Sequence, residues 1–439
     1  MSTAELASLL CCDLGAIVRG RAVFASELSD HLLTGVGWVP ANLALTPLGP
    51  LAEPTPFGST GDLRLLPDPS TRLRVGGDGP DEGPLEFLLC DIVELDGGAW
   101  ECCPRAFLKR ALGDLAELTG ASLTASFEHE FQLQGRERPS ALPFSLEAQR
   151  EAEPFASAVM AALVEAGVEP ERFFAEFASH QFEIPLAPAD GLQSADRAVV
   201  MREVVRELAR RHGLRASFVP LADPAEAGNG VHIHLSLHDE SGRPLFYDAA
   251  RPAGLSELAG SFAAGVLAHA QALSAICAPS PVSAERLRPH HWSAGAVCLA
   301  QENREALLRI PPLVSIGGSD PAAQLRLEYR GADGAANPYL ALGAIVQAGL
   351  DGIRGGLQCP PILDRDPAQL DEAEAARFGV GAMPGSLELS LQALERDDTA
   401  RSWFSPLMLE AYTSLKRAEI AAVAQLDLEQ CCRRYAAVY

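Results

Sequence analysis

Gly228-Asn229-Gly230 running into Val231–Leu237, GNG-VHIHLSL, is the stretch from which the rest of the chain can be read. Val231, Ile233, Leu235 and Leu237 fall on one face of an alternating strand, and His232, His234 and Ser236 on the other. One face can enter a core while the other presents two imidazoles and a hydroxyl in a row. The glycines ahead of it let the backbone turn sharply or approach a ligand closely. Taken alone, the pattern fits a strand with a solvated face as well as it fits a metal-binding strand, because neutral imidazole is common in both settings. The other strands decide between the two.

Leu123–Leu133, LTASFEHEFQL, alternates in the same way. Leu123, Ala125, Phe127, His129, Phe131 and Leu133 share one face; Ser126, Glu128, Glu130 and Gln132 share the other. Two carboxylates one pleat apart repel. Water relieves that repulsion if the face is solvated, and a hard divalent cation relieves it if the face is enclosed. FFAEFASHQFEIPL (173–186) adds Glu176 and Glu183, the latter alternating with Phe182 and Ile184. In QLRLEYR (324–330), Leu325, Leu327 and Tyr329 oppose Arg326, Glu328 and Arg330. Between these strands lie Arg286, Arg288, Arg304 and Arg309, whose planar forks suit carboxylate and phosphate. Singly, each arginine fits a surface ion pair. Jointly, several strands offering Glu/His or Glu/Arg faces are what metal-assisted phosphoryl transfer requires. No G-x-x-x-x-G-K-[ST] run and no G-x-G-x-x-G after a strand is present, so a nucleotide would need another scaffold. Periodicity leads to a divalent-metal and anion site and no further.

The composition sets bounds on partners. The chain has 439 residues, 48% hydrophobic and 21% charged, enough for one large or two moderate globular domains. A formal net charge of −23 argues against nucleic-acid backbones and anionic membrane surfaces. Lys109 and Lys416 are the only lysines, so the positive charge is nearly all arginine. The N-terminal residues show no basic region followed by an apolar core, and Phe262–Ala278, interrupted by His269, is too short to span a bilayer. The ten cysteines include Cys11-Cys12, Cys102-Cys103 and Cys431-Cys432 but no C-x-x-C. They read as reduced, mostly buried thiols of a cytoplasmic protein.

Residues 1–103 read as short strands: a hairpin in LLCCDLGAIVRGRAVF with Gly15 near its turn and Gly20 at a bulge, strands in PLEFLLCDIVELDG and AWECC, and a short helix over Ala25–Leu33. Thr34–Arg72 is too rich in proline and glycine for a helix, and a loop this long is a functional or interface element. Asp78–Gly83 is a solvated acidic turn. Pro104 opens a helix that ends near Gly120, and the domain boundary is placed there, giving 1–103 and 104–439. Further helices are expected over Leu146–Glu165, Ser194–Arg211, Leu255–Cys277, Ala336–Ile353 and, with breaks, from Ser405 onward. Amphipathic strands among helices predict an α+β domain with an open, mainly antiparallel sheet.

The ordered runs DLGAIVRGR, GDLRLLPDPST, EFLLCDI, FEHEF, EFASHQFEI, GNGVHIHLSL, ERLRPHHW, NREALLRIP, LRLEYR, GAANPYLALGAIVQAGLDGI and MPGSLELSLQALERDD resemble the glutamine synthetase superfamily over nearly the whole chain. The resemblance implies a β-grasp-like N-terminal domain, a catalytic α+β domain, and stacked homo-oligomeric rings. In such rings the Thr34–Arg72 loop would reach a neighbour's active site. It implies ATP as a substrate and two or more Mg²⁺ or Mn²⁺ ions per site. Glu130, Glu176 and Glu183 would hold one metal, and Glu128, His232 and Glu328 a second that bridges ATP phosphates. His234 and Ser236 would contact the nucleotide. Arg286 would hold the glutamate α-carboxylate, with Gly228 and Glu130 beside the amino acid. Arg304, Arg309 and Arg330 would neutralise the transferred phosphoryl group, with Arg309 also on the nucleotide. The implied chemistry passes through γ-glutamyl phosphate, which an amine then converts to an amide.

The departures concern the amine. Where glutamine synthetases proper carry a flap glutamate, this chain has Trp292 in RPHHWSAG. The aspartate of an F-D-G-S-S-like loop is missing from TGVGWVPANLALTPLG. Val282–Arg286 replaces an N-S-Y-K-R run, and Ala227 stands at the asparagine of N-G-S-G. Without those two carboxylates the pocket loses its reason to select ammonium, and a tryptophan wall suits a larger amine. The pattern resembles the γ-glutamylpolyamine synthetase branch. The expected activity is an ATP-dependent γ-glutamyl ligase using a polyamine such as putrescine or another organic amine. The alternatives are a glutamine synthetase using ammonia and a non-catalytic structural or regulatory ring.

Overall fold

The computed structural model describes residues 5–77, 83–136, 139–289 and 293–439. Two sheets organise it. The N-terminal strands β1 (Leu6–Cys12), β2 (Val18–Phe24), β3 (Val36–Trp38), β4 (Leu63–Pro67), β5 (Leu73–Val75) and β6 (Leu85–Val93) form one sheet in the order β2-β1-β6-β4-β3, with β5 also on β6. β1 and β6 run parallel and the other pairs are antiparallel. The expected hairpin is β1–β2. Gly20, however, sits opposite Leu10 in unbroken register, so it is not a bulge. A Cβ there would stand 1.9 Å from the Leu9 carbonyl oxygen, so the residue serves close backbone approach. AWECC contributes only an isolated bridge at Ala99, and β3 and β4 emerge from the stretch that read as irregular.

The second sheet is built on β7 (Ser122–Gln134), whose neighbours are β9 (Gln181–Pro185) and β12 (Gly230–His238). Short β8 (Phe174–Ala175) flanks β9, while β10 (Ala189–Asp190) and β11 (Arg215–Ser217) add to β7. Beyond β12 come β15 (Leu327–Asp333), β14 (Ala306–Ile310), β13 (Ala296–Gln301) and β16 (Ile362–Leu363), with β17 (Gly381–Ala382) on β13. The pairings are antiparallel except β13 with β14 and with β16.

The alternation read from sequence is what the sheet uses. Phe127, Phe131, Ile233, Leu235, Leu327 and Tyr329 are all at most 1% exposed and enter the core. His129 goes with them, stacked on Phe127 and edge-on to Phe218. Burial, helped by Arg202 and Arg206, holds its imidazole well below the usual range, so it is a neutral core histidine. The helices Pro104–Thr119, Gly191–Arg211 and Pro338–Arg354 contribute buried side chains to the same core.

Two expected helices are broken. Leu146–Glu151 and Phe155–Glu165 are separated at Pro154, which cannot continue a hydrogen-bond ladder. Glu257–Ala268 and Ala270–Cys277 bend by 75° at His269, whose ring nitrogens reach Asp397 at 2.6 Å and Asp351 at 3.0 Å. Among the described residues no single helix is long and apolar enough to cross a membrane. Helices at Glu372–Phe378, Leu387–Arg396 and Asp398–Ser402 were not anticipated. All ten cysteines are free, and only Cys359 is exposed.

Candidate active site

Sheet register brings the polar faces together. His232 lies opposite Glu128, Glu183 opposite Glu130, and Glu328 opposite His234. The pairing of β12 with β15 slips between Val231 and Ile233, so that Arg330 and Gly331 face His232 alone. Such a bulge re-aims side chains, and here Arg330 Nη1 donates to Glu328 Oε1 while Arg309 Nη1 donates to Glu328 Oε2 at 2.6 Å. Glu128, Glu130, Glu176, Glu183, His232, His234, Glu328, Arg304, Arg309, Arg330 and Gly228 all line one open cleft of about 970 Å³.

Within the cleft, one oxygen or nitrogen each from Glu128, His232 and Glu328 lie within 4.8 Å of one another. His232 Nδ1 is 3.3 Å from Glu128 Oε2 and 3.8 Å from Glu328 Oε1. Burial works to raise both carboxyls and is outweighed: His232 and His234 hold Glu128 well below its usual range, and Arg330 with the two histidines and Arg309 brings Glu328 down to about 2. Glu176 and Glu183 behave oppositely. Burial, then the charge on Glu130, pushes Glu176 up to about 7; burial with Glu128, Glu130 and Glu176 pushes Glu183 well above the usual carboxylate range. These two carboxyls also hydrogen-bond each other. Carboxyls forced to keep protons in one cleft are a site where a divalent cation can replace those protons. Oxygen donors with a single imidazole suit a hard ion, so the residues fit Mg²⁺ or Mn²⁺.

Arg286 lies outside the lining, 3% exposed beneath the Gly228–Gly230 loop, with Nη2 donating to the Ala332 carbonyl at 2.8 Å. The glycines make room for it. A Cβ on Gly228 would stand 2.6 Å from Arg286 Cγ, and one on Gly230 would stand 3.0 Å from its Nη1. Gln181 Nε2 donates to the Gly228 carbonyl and to Asn229 Oδ1, both at 2.9 Å, and Gly230 N–H donates to Glu130 Oε2 at 2.7 Å. Ser236 is one pleat beyond His234 on the same face, half-buried and outside the cleft lining. Arg288 is instead an exposed ion-pair partner of Glu285, as a single surface arginine would be. Trp292 and the acidic turn at 78–82 lie outside the described residues.

Sequence reading gave no role to Arg326, whose Nε donates to His234 Nδ1 at 3.0 Å and which lines the cleft. Its place on the Glu328 face was the available signal. It also overlooked Phe144 and Phe177, which line the cleft and are 54% and 50% exposed. No periodicity marks them, because they come from irregular segments.

A mixed sheet with such a cleft, carrying carboxylates, imidazoles and arginines, has the donor set that metal-dependent phosphoryl transfer uses. Residues 101–435 match the glutamine synthetase catalytic domain, and residues 1–100 match the glutamine synthetase N-terminal domain. The chain therefore belongs to the glutamine synthetase family, ATP-dependent carbon–nitrogen ligases that use divalent metals. It is 34% identical to gamma-glutamylpolyamine synthetase GlnA3 of Streptomyces coelicolor, over 94% of this chain and 89% of that one. It is 33% identical to glutamine synthetase of Thermus thermophilus, over 86% and 85% of the two chains. A crystal structure described as a novel glutamine synthase homolog superposes with a TM-score of 0.92 at 43% identity, covering 100% of this chain and 99% of that one. A ligand-free structure of GmaS superposes with a TM-score of 0.82 at 29% identity, covering 97% and 96%.

Proposed function

We propose that this ligase joins the γ-carboxyl group of glutamate to an organic amine, a polyamine such as putrescine among the candidates. A γ-carboxylate oxygen attacks the γ-phosphorus of ATP, the bond to ADP breaks, and γ-glutamyl phosphate forms. The amine nitrogen then attacks the acyl carbon, phosphate leaves, and the nitrogen gives up a proton. Glu128, His232 and Glu328 would hold one Mg²⁺ or Mn²⁺, and Glu130, Glu176 and Glu183 another. When bound, the ions supply charge neutralisation at the phosphates. Arg304, Arg309 and Arg330 neutralise the transferred group, and His234 and Ser236 face the nucleotide. Arg286 and Gly228 hold the acid in line, so that positioning and charge compensation carry the catalysis. The catalytic domain begins at Pro104. In a cytoplasmic stacked ring, the Thr34–Arg72 loop completes the site of a neighbouring subunit.

The observation that carries the reading is the convergence of six acidic and imidazole ligands with three arginines in one cleft. Its amine half is supported by the aromatic rim of Phe144 and Phe177, by the Trp292 substitution, and by the γ-glutamylpolyamine synthetase relative. The glutamine synthetase relatives favour ammonia as a second reading. Purified protein with ATP, Mg²⁺ and glutamate should release phosphate when an organic amine is added, with a product of matching mass. Phosphate release on ammonia, with a panel of organic amines inert, would overturn the proposal.

A further inference from the structure

Glu226 ends the loop that leads into Gly228-Asn229-Gly230, and nothing in the proposed chemistry uses it. It lines the cleft, half-buried. Its carboxylate is fixed by neutral donors only. Ser179 Oγ donates to Oε1, Ser179 N–H to Oε2 at 3.3 Å, and Gln132 Nε2 to Oε2 at 3.4 Å. Among the described residues no arginine, lysine or histidine pairs with it, whereas Glu328 on β15 has two arginines. Neutral hydrogen bonds orient a carboxylate without cancelling its charge, so Glu226 presents a fixed negative charge at the wall of the cleft.

Its place along the sheet says what that charge can meet. On β7 the polar face runs Ser126, Glu128, Glu130, Gln132, and of these Glu128 and Glu130 line the cleft. His234, opposite Ser126, marks one end of this row, and Glu226, bonded to Gln132, marks the other. The expected nucleotide position is at the His234 end. The acid lies by Gly228 and Glu130, so the amine has to come from the Gln132 side. Glu226 stands beside a residue one pleat past Glu130, about 7 Å along the strand. A short flexible chain spans that distance.

We propose that Glu226 binds the distal ammonium of a diamine or polyamine substrate while the other amine reacts, and so sets a preference for diamines over monoamines of equal length. The inference rests on the organic-amine reading above. Amine, acid and ATP each keep their own partners, so Glu226 is a specificity residue rather than a member of the catalytic machinery.

The test compares putrescine with butylamine, which share the four-carbon chain and differ in the second charge. In the wild type the KM for putrescine should be the lower of the two. Glu226→Gln keeps the shape and most of the hydrogen bonds and should raise the putrescine KM by about tenfold, the scale of one partly exposed charged contact. The butylamine KM and the KM values for ATP and glutamate should stay unchanged. Ser179→Ala, which releases one carboxylate oxygen, should give a smaller shift in the same direction. Equal effects of Glu226→Gln on both amines, or none on either, overturn the role of Glu226 while leaving the ligase reading intact. Wild-type turnover with ammonia and with no organic amine of a panel overturns the organic-amine reading first, and this inference with it.

Discussion

Gly228→Ala tests whether the loop ahead of β12 is set by what lies beneath it. The new Cβ would stand 2.2 Å from the Pro220 carbonyl oxygen, 2.6 Å from Arg286 Cγ and 3.1 Å from Arg286 Cδ. Arg286 can yield by changing rotamer. The Pro220 carbonyl cannot, because it is backbone and accepts the Asn229 N–H at 2.9 Å. Relief therefore requires the loop to move by about an ångström, the scale at which overpacking costs about 1–3 kcal/mol. Losing the Asn229–Pro220 hydrogen bond adds about 1 kcal/mol. The same motion pulls the Gly228 carbonyl from Gln181 and displaces Arg286, and Gly228 and Arg286 are the residues proposed to hold the amino acid. Misplacing such contacts by an ångström should raise the glutamate KM by about ten- to a hundredfold, with the ATP KM much less affected. Steady-state kinetics with each substrate varied, alongside thermal melts, measure both halves. Gly37→Ala is the control, since nothing lies within 4 Å of a Cβ there. A Gly228→Ala enzyme with wild-type Tm and glutamate KM would refute the packing argument and the placement of the acid together.

Three other outcomes follow from the charges. Glu128→Ala and Glu328→Gln should each abolish phosphate release, but only the second should unfold early in urea, by about 3–5 kcal/mol, because it strands the guanidiniums of Arg309 and Arg330. Mg²⁺ or Mn²⁺ should bind more tightly as pH rises through about 7 and should release protons on binding, because burial and Glu130 push Glu176 up to about 7 and Glu183 is raised further. Titration calorimetry in buffers of different ionisation enthalpy reads that release, and its absence contradicts the proton-holding pair. Burial acts to lower His269, but its bonds to Asp397 and Asp351 outweigh this and raise its pKa. A raised folded-state value means stability fully present below the unfolded value and lost as pH rises through the folded one. His269→Ala should therefore cost about 1–2 kcal/mol in mildly acid buffer and progressively less in alkaline buffer; a pH-independent loss would show that the imidazole is not charged between its two aspartates.

Much of the site was legible because a strand reports its faces by a period of two. Glu128, Glu130, His232, Glu328 and their apolar counterparts needed no tertiary information to be sorted, and His129 fell on the core side by parity alone. The ordered motifs then fixed the family, because so many runs in one order do not coincide by chance. Periodicity could not say which strands are neighbours. Register is a long-range property, decided by backbone pairing between residues about a hundred positions apart, such as His232 with Glu128. The bulge opposite His232, the two arginines on Glu328, the proton-sharing of Glu176 with Glu183, and the link from Arg326 to His234 all follow from that pairing. Phe144, Phe177 and Glu226 come from irregular segments, where no repeat exposes a face and only the folded chain shows which side chains reach the cleft. The sequence by itself determined the chemistry of the strand faces and the family. The tertiary structure decided which charges meet, because electrostatics depends on distances across the sheet that local pattern does not contain.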